Sequence, residues 1–273
     1  MAKVTMVWAS AHAPMMLAAR DSAPADQRER FFGAHASLRH EIQQRRLDAV
    51  VVCSNEHFTN FFLDNFPAWC VGIGQRHFGP VERWLGVPQG YVPGHPALAA
   101  HLLSSCVEQG FEPSFSHELN LDHGIVTVYR EADPSGALPL VPIVMNCAVA
   151  PMPTLRRCLE FGRALRRAIE SFPGDLRVGV LGAGGLSHSV GTPDVGRIDE
   201  DFDHWFLERL AEGDLDALCE VPNHELELAG NGTHEVRAWL TAAGAAGGNS
   251  RAKVLAYEPV RAWINGMGVV QFI

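Results

Sequence analysis

The feature that most constrains the fold is a set of four continuous apolar runs rich in β-branched residues. They lie at residues 3–9, 48–53, 138–145 and 176–182. Runs of this length and continuity are typical of strands that are buried on both faces of a sheet, as in parallel sheets. The sequence therefore predicts a sheet whose central strands are covered on both sides.

Helical patterns separate these runs. Residues 28–46, 95–109 and 153–171 repeat apolar side chains at three- and four-residue intervals, with charged residues on the opposite side. Alternation of strands and helices predicts an α/β fold with a mixed, mainly parallel central sheet flanked by helices on both faces. In such folds ligands bind beyond the strand ends.

The sequence shows no internal repeat and no linker, so one domain spanning residues 1–273 is expected. The Gly/Ala-rich residues 241–250 are expected to form a loop after a helix.

Composition excludes several classes of partner. The chain has 31 acidic against 22 basic residues and a net charge of -9, which disfavours nucleic acid and anionic membrane surfaces. Its six cysteines form no Cys-x-x-Cys pair and are predicted to be reduced, buried thiols. No signal peptide and no apolar stretch of about 20 residues is apparent, so a cytoplasmic protein is expected.

Four histidines lie within a few residues of apolar segments that are predicted to be strands, where a rigid backbone would present an imidazole at the sheet edge. They are His12, His57, His123 and His188. Two imidazoles and a carboxylate on one face of an ion form the donor set of non-haem Fe(II) enzymes, and Glu235 would supply the carboxylate. The other two histidines would transfer protons. With 13 histidines in the chain, coincidental sets are also expected, and a loop histidine often only bonds a backbone carbonyl.

The stretch "GNGTHEVRAW" places two ionisable residues side by side after a turn. Thr233 is predicted to cap a helix, with Glu235 in the first turn, where the helix dipole favours a carboxylate. Adjacent side chains on a helix point about 100° apart, so only one of His234 and Glu235 can face a site built from distant loops. The pattern alone leaves that choice open.

The motifs "SAHAP", "NEHFTNFF", "LDHG", "GGLSHSVG" and "GNGTHEVRAW" follow one another over nearly the whole chain. In this order and spacing the sequence resembles the catalytic subunits of class III extradiol ring-cleavage dioxygenases, of the protocatechuate 4,5-dioxygenase type. The resemblance implies that Fe(II) is bound by His12, His57 and Glu235. It further implies acid and base roles for His123 and His188, and makes His234 a surface residue or one that supports the site.

The same resemblance implies a catechol-like aromatic substrate and O2, with both oxygen atoms inserted next to the diol. Some family members use a small helical subunit that covers the site, and others carry this lid fused. No extra length for a fused lid is apparent here, so a homodimer or a complex with a small lid subunit is expected. Asp122 and Asn55 would orient neighbouring histidines, or serve only as turn residues.

Which substrate binds stays open in the sequence. A carboxylated ring would require an Arg or a helix N-terminus nearby. The candidates are Arg76, His77 and Arg83, although a loop Arg is more often simply solvated. An aromatic cluster is typical either of a wall for a flat ring or of core packing; its members are Phe58, Phe61, Phe62, Phe66 and Trp69.

Two alternatives to the dioxygenase interpretation keep the same fold. One is a non-catalytic or regulatory member that binds a small aromatic compound or a partner protein. The other is a metal-dependent hydrolase, because zinc accepts the same imidazole and carboxylate donors. The donor types also suit both iron and manganese.

Overall fold

The computed structural model describes residues 1–248 and 250–273. Its strands are β1 (Lys3–Ser10), β2 (Ala49–Asn55), β3 (Trp69–Gly72), β4 (Arg76–Gly79), β5 (Gly90–Pro93), β6 (Ser114–Ser116), β7 (Leu140–Met145), β8 (Arg177–Ala183), β9 (Ala252–Val260) and β10 (Asn265–Phe272). Eight of them form one sheet in the order β6-β3-β7-β2-β8-β1-β10-β9, while β4 and β5 form a separate pair.

The α-helices are α1 (Met15–Ala18), α2 (Ala25–Arg45), α3 (Pro96–Glu108), α4 (His123–Ala132), α5 (Leu155–Ser171), α6 (Glu200–Glu212), α7 (Leu215–Cys219), α8 (Asn223–Ala229) and α9 (Val236–Ala246). Helices α5 and α9 pack together against β1 and β8, whereas α2 and α4 pack together and contact β9 and β2. Helices therefore cover both faces of the sheet.

The middle of the sheet explains why its strands are continuously apolar. Strands β7, β2, β8 and β1 are parallel to one another, and every residue of β2 and β7 is buried. Strand β3 pairs antiparallel with β7 and parallel with β6, and β10 pairs antiparallel with both β1 and β9. The predicted fold class, α/β with a mixed and mostly parallel sheet, is confirmed. Because the four central strands run the same way, their carboxyl ends lie at one edge of the sheet.

The predicted elements match the structure within a few residues. The four apolar runs correspond to β1, β2, β7 and β8, and the three helical patterns correspond to α2, α3 and α5. The prediction of a loop at 241–250 is wrong for residues 241–246, which form the buried end of α9; Asn249 lies outside the described residues. Small side chains there serve close helix packing rather than a loop.

Glycines set the close approach of α9 to its neighbours. A methyl group at Gly162 in α5 would overlap the carbonyl oxygen of Thr241, and one at Gly244 would overlap that of Leu159. Gly182 of β8 faces the backbone of α9 in the same way. Because these contacts involve backbone atoms, no rotamer change can relieve an added side chain. The position of α9 is thereby fixed against both α5 and the sheet.

Five of the six cysteines are buried and all six are free thiols, while Cys219 is only half-buried. Among residues 1–248 and 250–273, no helix combines the length and apolar character that crossing a bilayer requires.

Substitution of Gly162 by Ala is expected to lower the free energy of unfolding by about 1–3 kcal/mol, because the methyl group forces α5 and α9 apart. The matched control is Gly33→Ala, since Gly33 is exposed within α2 and nothing lies near its added methyl group. The control is expected to gain up to about 1 kcal/mol from helix propensity. Urea unfolding of the two variants measures both; equal effects would contradict the packing argument.

Candidate functional site

The parallel strands bring three of the predicted histidines to one edge of the sheet. His12 follows β1, His57 follows β2, and His188 follows β8. The sequence predicted that His123 also lies at the end of a strand, and this is wrong: His123 is the first residue of α4. The apolar run after His123 is a buried helix rather than a strand, and Asp122 caps it by accepting the Gly124 N–H at 2.9 Å.

Two imidazoles and a carboxylate converge on one point. The His12 and His57 Nε2 atoms lie 3.4 Å apart. Glu235 oxygens lie 3.3 Å from His12 Nε2 and 3.2 Å from His57 Nε2. Donors at right angles around an ion about 2.1 Å away would be separated by about 3 Å, so this triangle is close to the size that a metal ion requires.

A second set of donors overlaps the first. Ligand atoms of His12, His57 and His123 all lie within 4.8 Å of one another, so this group could also hold a metal ion. The His57 and His123 rings are 4.3 Å apart between centroids. The structure thus brings all of the predicted metal ligands together, with His123 beside them.

His57 is oriented by a buried carboxylate. Its Nδ1 lies 2.9 Å from Asp122 Oδ2, which leaves Nε2 directed at Glu235 and His12. An imidazole that donates Nδ1–H to a carboxylate is the usual arrangement for a metal ligand. Burial lowers the His57 pKa, but Asp122 and Glu235 outweigh it and raise that pKa well above its usual value. The site therefore favours positive charge at this ring, which a proton or a metal cation can supply.

Glu235 is ionised although it is buried. Burial opposes its ionisation, but His12, His57 and His188 hold its pKa well below the usual range. Its oxygens also accept the Gly185 backbone N–H at 2.6 Å and the Asn55 amide at 3.2 Å. Asn55 was expected to orient a neighbouring histidine or to serve as a turn residue. Instead, its side-chain amide donates a hydrogen bond to the Glu235 carboxylate.

His12 is held through its backbone rather than its ring. The Asn265 amide donates to the His12 carbonyl oxygen at 2.8 Å, whereas His12 Nδ1 is buried without a hydrogen-bond partner. Burial lowers the His12 pKa to about 3, and the His57 and His123 rings act in the same direction. A neutral imidazole is the form that binds a metal ion.

His123 has a carboxylate partner that sequence patterns did not reveal. Glu82 Oε1 lies 2.6 Å from His123 Nδ1 and accepts the His123 backbone N–H at 3.0 Å. This contact leaves the ring's Nε2 for the pocket. Glu82 is 41 residues away in sequence and lies just before a 3-10 turn, so no local signal distinguished it from an exposed loop acid.

His188 has a defined tautomer. Its Nδ1 lies 3.0 Å from the Leu186 carbonyl oxygen and therefore carries the proton, while Nε2 is 3.8 Å from Glu235 Oε1. Methyl groups at Gly185 or Gly232 would overlap the ring. A neutral His188 thus presents an unprotonated Nε2 beside the proposed ligands.

The loop that carries His188 is tied to α6. Asp203 accepts the Ser187 N–H at 2.7 Å, the Ser187 hydroxyl at 2.9 Å and the Tyr257 hydroxyl at 2.7 Å. Burial raises the Asp203 pKa to about 6, although these donors oppose the shift. Ser187 also accepts the Asp199 backbone N–H at 2.8 Å. The residue before His188 is thereby fixed on both its backbone and its side chain.

Of the two positions expected for His234, on the surface or supporting the site, the surface position is wrong. His234 is buried, receives a hydrogen bond at Nδ1 from Arg237 at 2.9 Å, and lies 2.7 Å from Glu227 through Nε2. Burial lowers its pKa. Thr233 forms no helix cap, because residues 231–235 are a 3-10 turn that leads directly into α9. Of the two adjacent side chains, Glu235 faces the histidines.

A pocket of about 530 Å³ opens next to these side chains. Besides the histidines and Glu235, its walls include Phe58, Trp84, Val190, Trp263 and Ile264. Of the predicted aromatic cluster, only Phe58 lines the pocket, and Trp69 is buried in the core against Phe161. Arg76 stacks on Tyr91 and His77 bonds the Leu119 carbonyl, so neither reaches this pocket.

This arrangement agrees with comparisons to known proteins. The model of a family described as the catalytic LigB subunit of aromatic ring-opening dioxygenase matches residues 7–268. The chain belongs to this LigB family. The resemblance to class III extradiol ring-opening dioxygenases that was inferred from the sequence motifs is thus confirmed at the family level.

Individual relatives of this LigB-family chain are distant. A 2,3-dihydroxyphenylpropionate/2,3-dihydroxicinnamic acid 1,2-dioxygenase of Photorhabdus laumondii is 26% identical, covering 85% of this chain and 86% of that protein. A gallate dioxygenase of Pseudomonas putida is 36% identical over 61% of this chain and 50% of its own length. The crystal structure of an uncharacterized protein from Escherichia coli K12 superposes with a TM-score of 0.59 at 16% identity, covering 97% and 99% of the two chains, which supports the fold.

Replacement of Asp122 by Asn is expected to weaken binding of a divalent metal about ten- to hundredfold, because an amide facing His57 Nδ1 no longer holds that ring as a ligand. Asn retains an oxygen for the Gly124 N–H, so the helix cap and the melting temperature should change little. Titration with Co(II), followed by its visible absorption, measures the affinity. An unchanged affinity would show that the contact does not orient a ligand.

Asp203→Asn is expected to alter the pH dependence of stability. Because the folded-state pKa is about 6 against 3.8 for the free side chain, the native state retains its proton more strongly. The wild type therefore loses roughly 2–3 kcal/mol relative to the variant as pH rises from 4 to 6, and nothing further above this window. Urea unfolding across this range tests the prediction, with Asp201→Asn on the exposed side of α6 as control. Parallel curves for the wild type and Asp203→Asn would contradict it.

Proposed function

We propose that this chain, acting as one catalytic domain, is an Fe(II)-dependent extradiol dioxygenase that opens a catechol-type ring with O2. One observation carries the proposal: His12 Nε2 and His57 Nε2 lie 3.4 Å apart, and each is 3.2–3.3 Å from one oxygen of the Glu235 carboxylate, beside a pocket walled by aromatic side chains. Such a donor triangle on one face of an ion leaves the other face for substrate and O2. Membership of the LigB family supports the reaction class.

We propose Glu235 rather than His123 as the third ligand. Glu235 contacts both other ligands, whereas His123 Nδ1 is engaged by Glu82 at 2.6 Å. A carboxylate also offsets the charge of a divalent ion, which a third imidazole cannot do. His123 is then free to act on the bound substrate.

The proton-transfer roles follow from the tautomers. His188 donates through Nδ1 to the Leu186 carbonyl, so its Nε2 is an acceptor and can take a phenolic proton from the substrate. His123 donates through Nδ1 to Glu82, so it would act as the acid only after taking up a second proton at Nε2, with the Glu82 carboxylate balancing the charge of the ring. The two residues are thus proposed as base and acid respectively.

Fe(II), when bound, supplies the one-electron chemistry that O2 requires to react with an aromatic ring. The pocket residues bind and orient the substrate ring. Phe58, Trp84 and Trp263 offer flat apolar surfaces for the ring and exclude water from it. Two relatives, a 2,3-dihydroxyphenylpropionate/2,3-dihydroxicinnamic acid 1,2-dioxygenase and a gallate dioxygenase, have names that support a substrate with adjacent hydroxyl groups.

Anaerobic loading with Fe(II), followed by O2 uptake and absorbance with a panel of catechols, tests this proposal. We expect uptake of one O2 per ring with formation of a yellow ring-opened product. Glu235→Ala should lose both metal and activity. His123→Ala should retain the metal and lose roughly 10²–10⁴ in turnover.

Metal analysis of the same variants separates the alternatives. Loss of iron from His123→Ala with retention by Glu235→Ala would identify the three-histidine set as the ligands. Stoichiometric iron without O2 uptake on any ring would reject the dioxygenase, and O2-independent hydrolysis with zinc would favour the hydrolase. Association with a second copy or with a small lid subunit stays a prediction, which light scattering of the purified protein would test.

A further inference from the structure

The charged groups around the pocket are unevenly distributed. Three carboxylates line it, from Glu56, Glu227 and Glu235, and no Lys or Arg among residues 1–248 and 250–273 does so. Two further carboxylates, Asp122 and Glu82, lie directly behind the histidines. The remaining walls are mostly apolar. Even a divalent cation at the histidines would leave fewer positive than negative charges in this region.

Glu227 is the carboxylate that faces the pocket away from the proposed metal ligands. It lies on α8, is about half exposed, and contacts the buried His234 Nε2 at 2.7 Å. Glu56, in contrast, is buried and accepts the Thr59 and Asn60 backbone N–H groups. The Glu56 carboxylate is therefore engaged by local donors, whereas that of Glu227 is half exposed and lines the pocket.

Glu227 is held in place from behind. Arg237 is buried, has no carboxylate partner among the described residues, and donates to His234 Nδ1 at 2.9 Å. Because a guanidinium only donates, His234 Nδ1 must accept, and its Nε2 proton must point to Glu227. The other hydrogen bonds of Arg237 go to the carbonyl oxygens of Pro153 and His234 and to Asn223, and Arg237 itself does not line the pocket. This chain of hydrogen bonds holds the Glu227 carboxylate at a fixed position.

We propose that Glu227 makes the pocket selective for catechols without an anionic substituent. The inference rests on the proposed function. A ring carboxylate would lose its hydration, find no Lys or Arg in the described pocket wall, and lie near the Glu227 carboxylate. An uncharged substituent would instead contact the apolar walls formed by Trp84, Val190 and Ile264. Discrimination here is mainly repulsive, which is a common way to achieve specificity.

The test uses two substrates that differ in the charge of the side chain and by one methyl group: 3-(2,3-dihydroxyphenyl)propionate and its methyl ester, in which the side chain is not conjugated with the ring. For the Fe(II)-loaded enzyme we expect kcat/KM to be at least tenfold higher for the ester than for the acid. We also expect the ester to bind more tightly, with a lower dissociation constant measured anaerobically by calorimetry. Glu227→Gln preserves the acceptor for His234 and should reduce the ratio about tenfold, through the acid alone.

Glu225→Gln is the matched control, because Glu225 is exposed on the same helix and does not line the pocket. It should leave the ratio unchanged. Equal or better binding of the acid by the wild type, or a ratio that Glu227→Gln does not change, would overturn the inference. Anaerobic binding separates the two proposals: preference for the ester without O2 uptake would reject the dioxygenase but retain the charge selectivity, whereas turnover of both compounds alike would do the reverse.

Discussion

A buried carboxylate organises this molecule. Glu235 is ionised at a place where water cannot solvate it, and an isolated charge there would be very costly. Its compensation comes from the Gly185 backbone N–H, the Asn55 amide and the rings of His12 and His57. These groups lie at or just after the ends of three different strands, and Glu235 itself directly precedes one helix. The sheet is thus the framework that lets four distant segments meet around a single charge.

The packing of α9 gives this arrangement its precision. The helix begins directly after Glu235, and glycines in α5 and β8 bring it to backbone contact with both. Gly184 likewise faces the Glu235 backbone, where a methyl group would be too close. Since interiors packed to this density resist displacement, the carboxylate cannot drift relative to the strand ends. A donor triangle with sides near 3 Å tolerates little movement, so the small residues serve the site as much as the core.

The sequence predicts the inside of the sheet better than its borders or its polar contacts. Central strands are uniformly apolar and therefore recognisable, but β6 has only three residues and β9 alternates buried with exposed positions. The run after His123 misled because a short apolar segment buried on all sides looks alike in a helix and a strand. Family motifs supplied the proposed ligands, whereas Glu82 and Glu227 have no local pattern; their partners are apparent only once the chain is folded.

The proposed ligands are separated by almost the whole chain, at positions 12, 57 and 235. A growing polypeptide in which Glu235 has not yet been synthesised has only two of the three donors. The full donor set is then present only after β1, β2, β7 and β8 have been synthesised, but before β9 and β10 complete the sheet. An ion bound by the folded protein stabilises it by mass action, so metal scarcity would lower its free energy of unfolding.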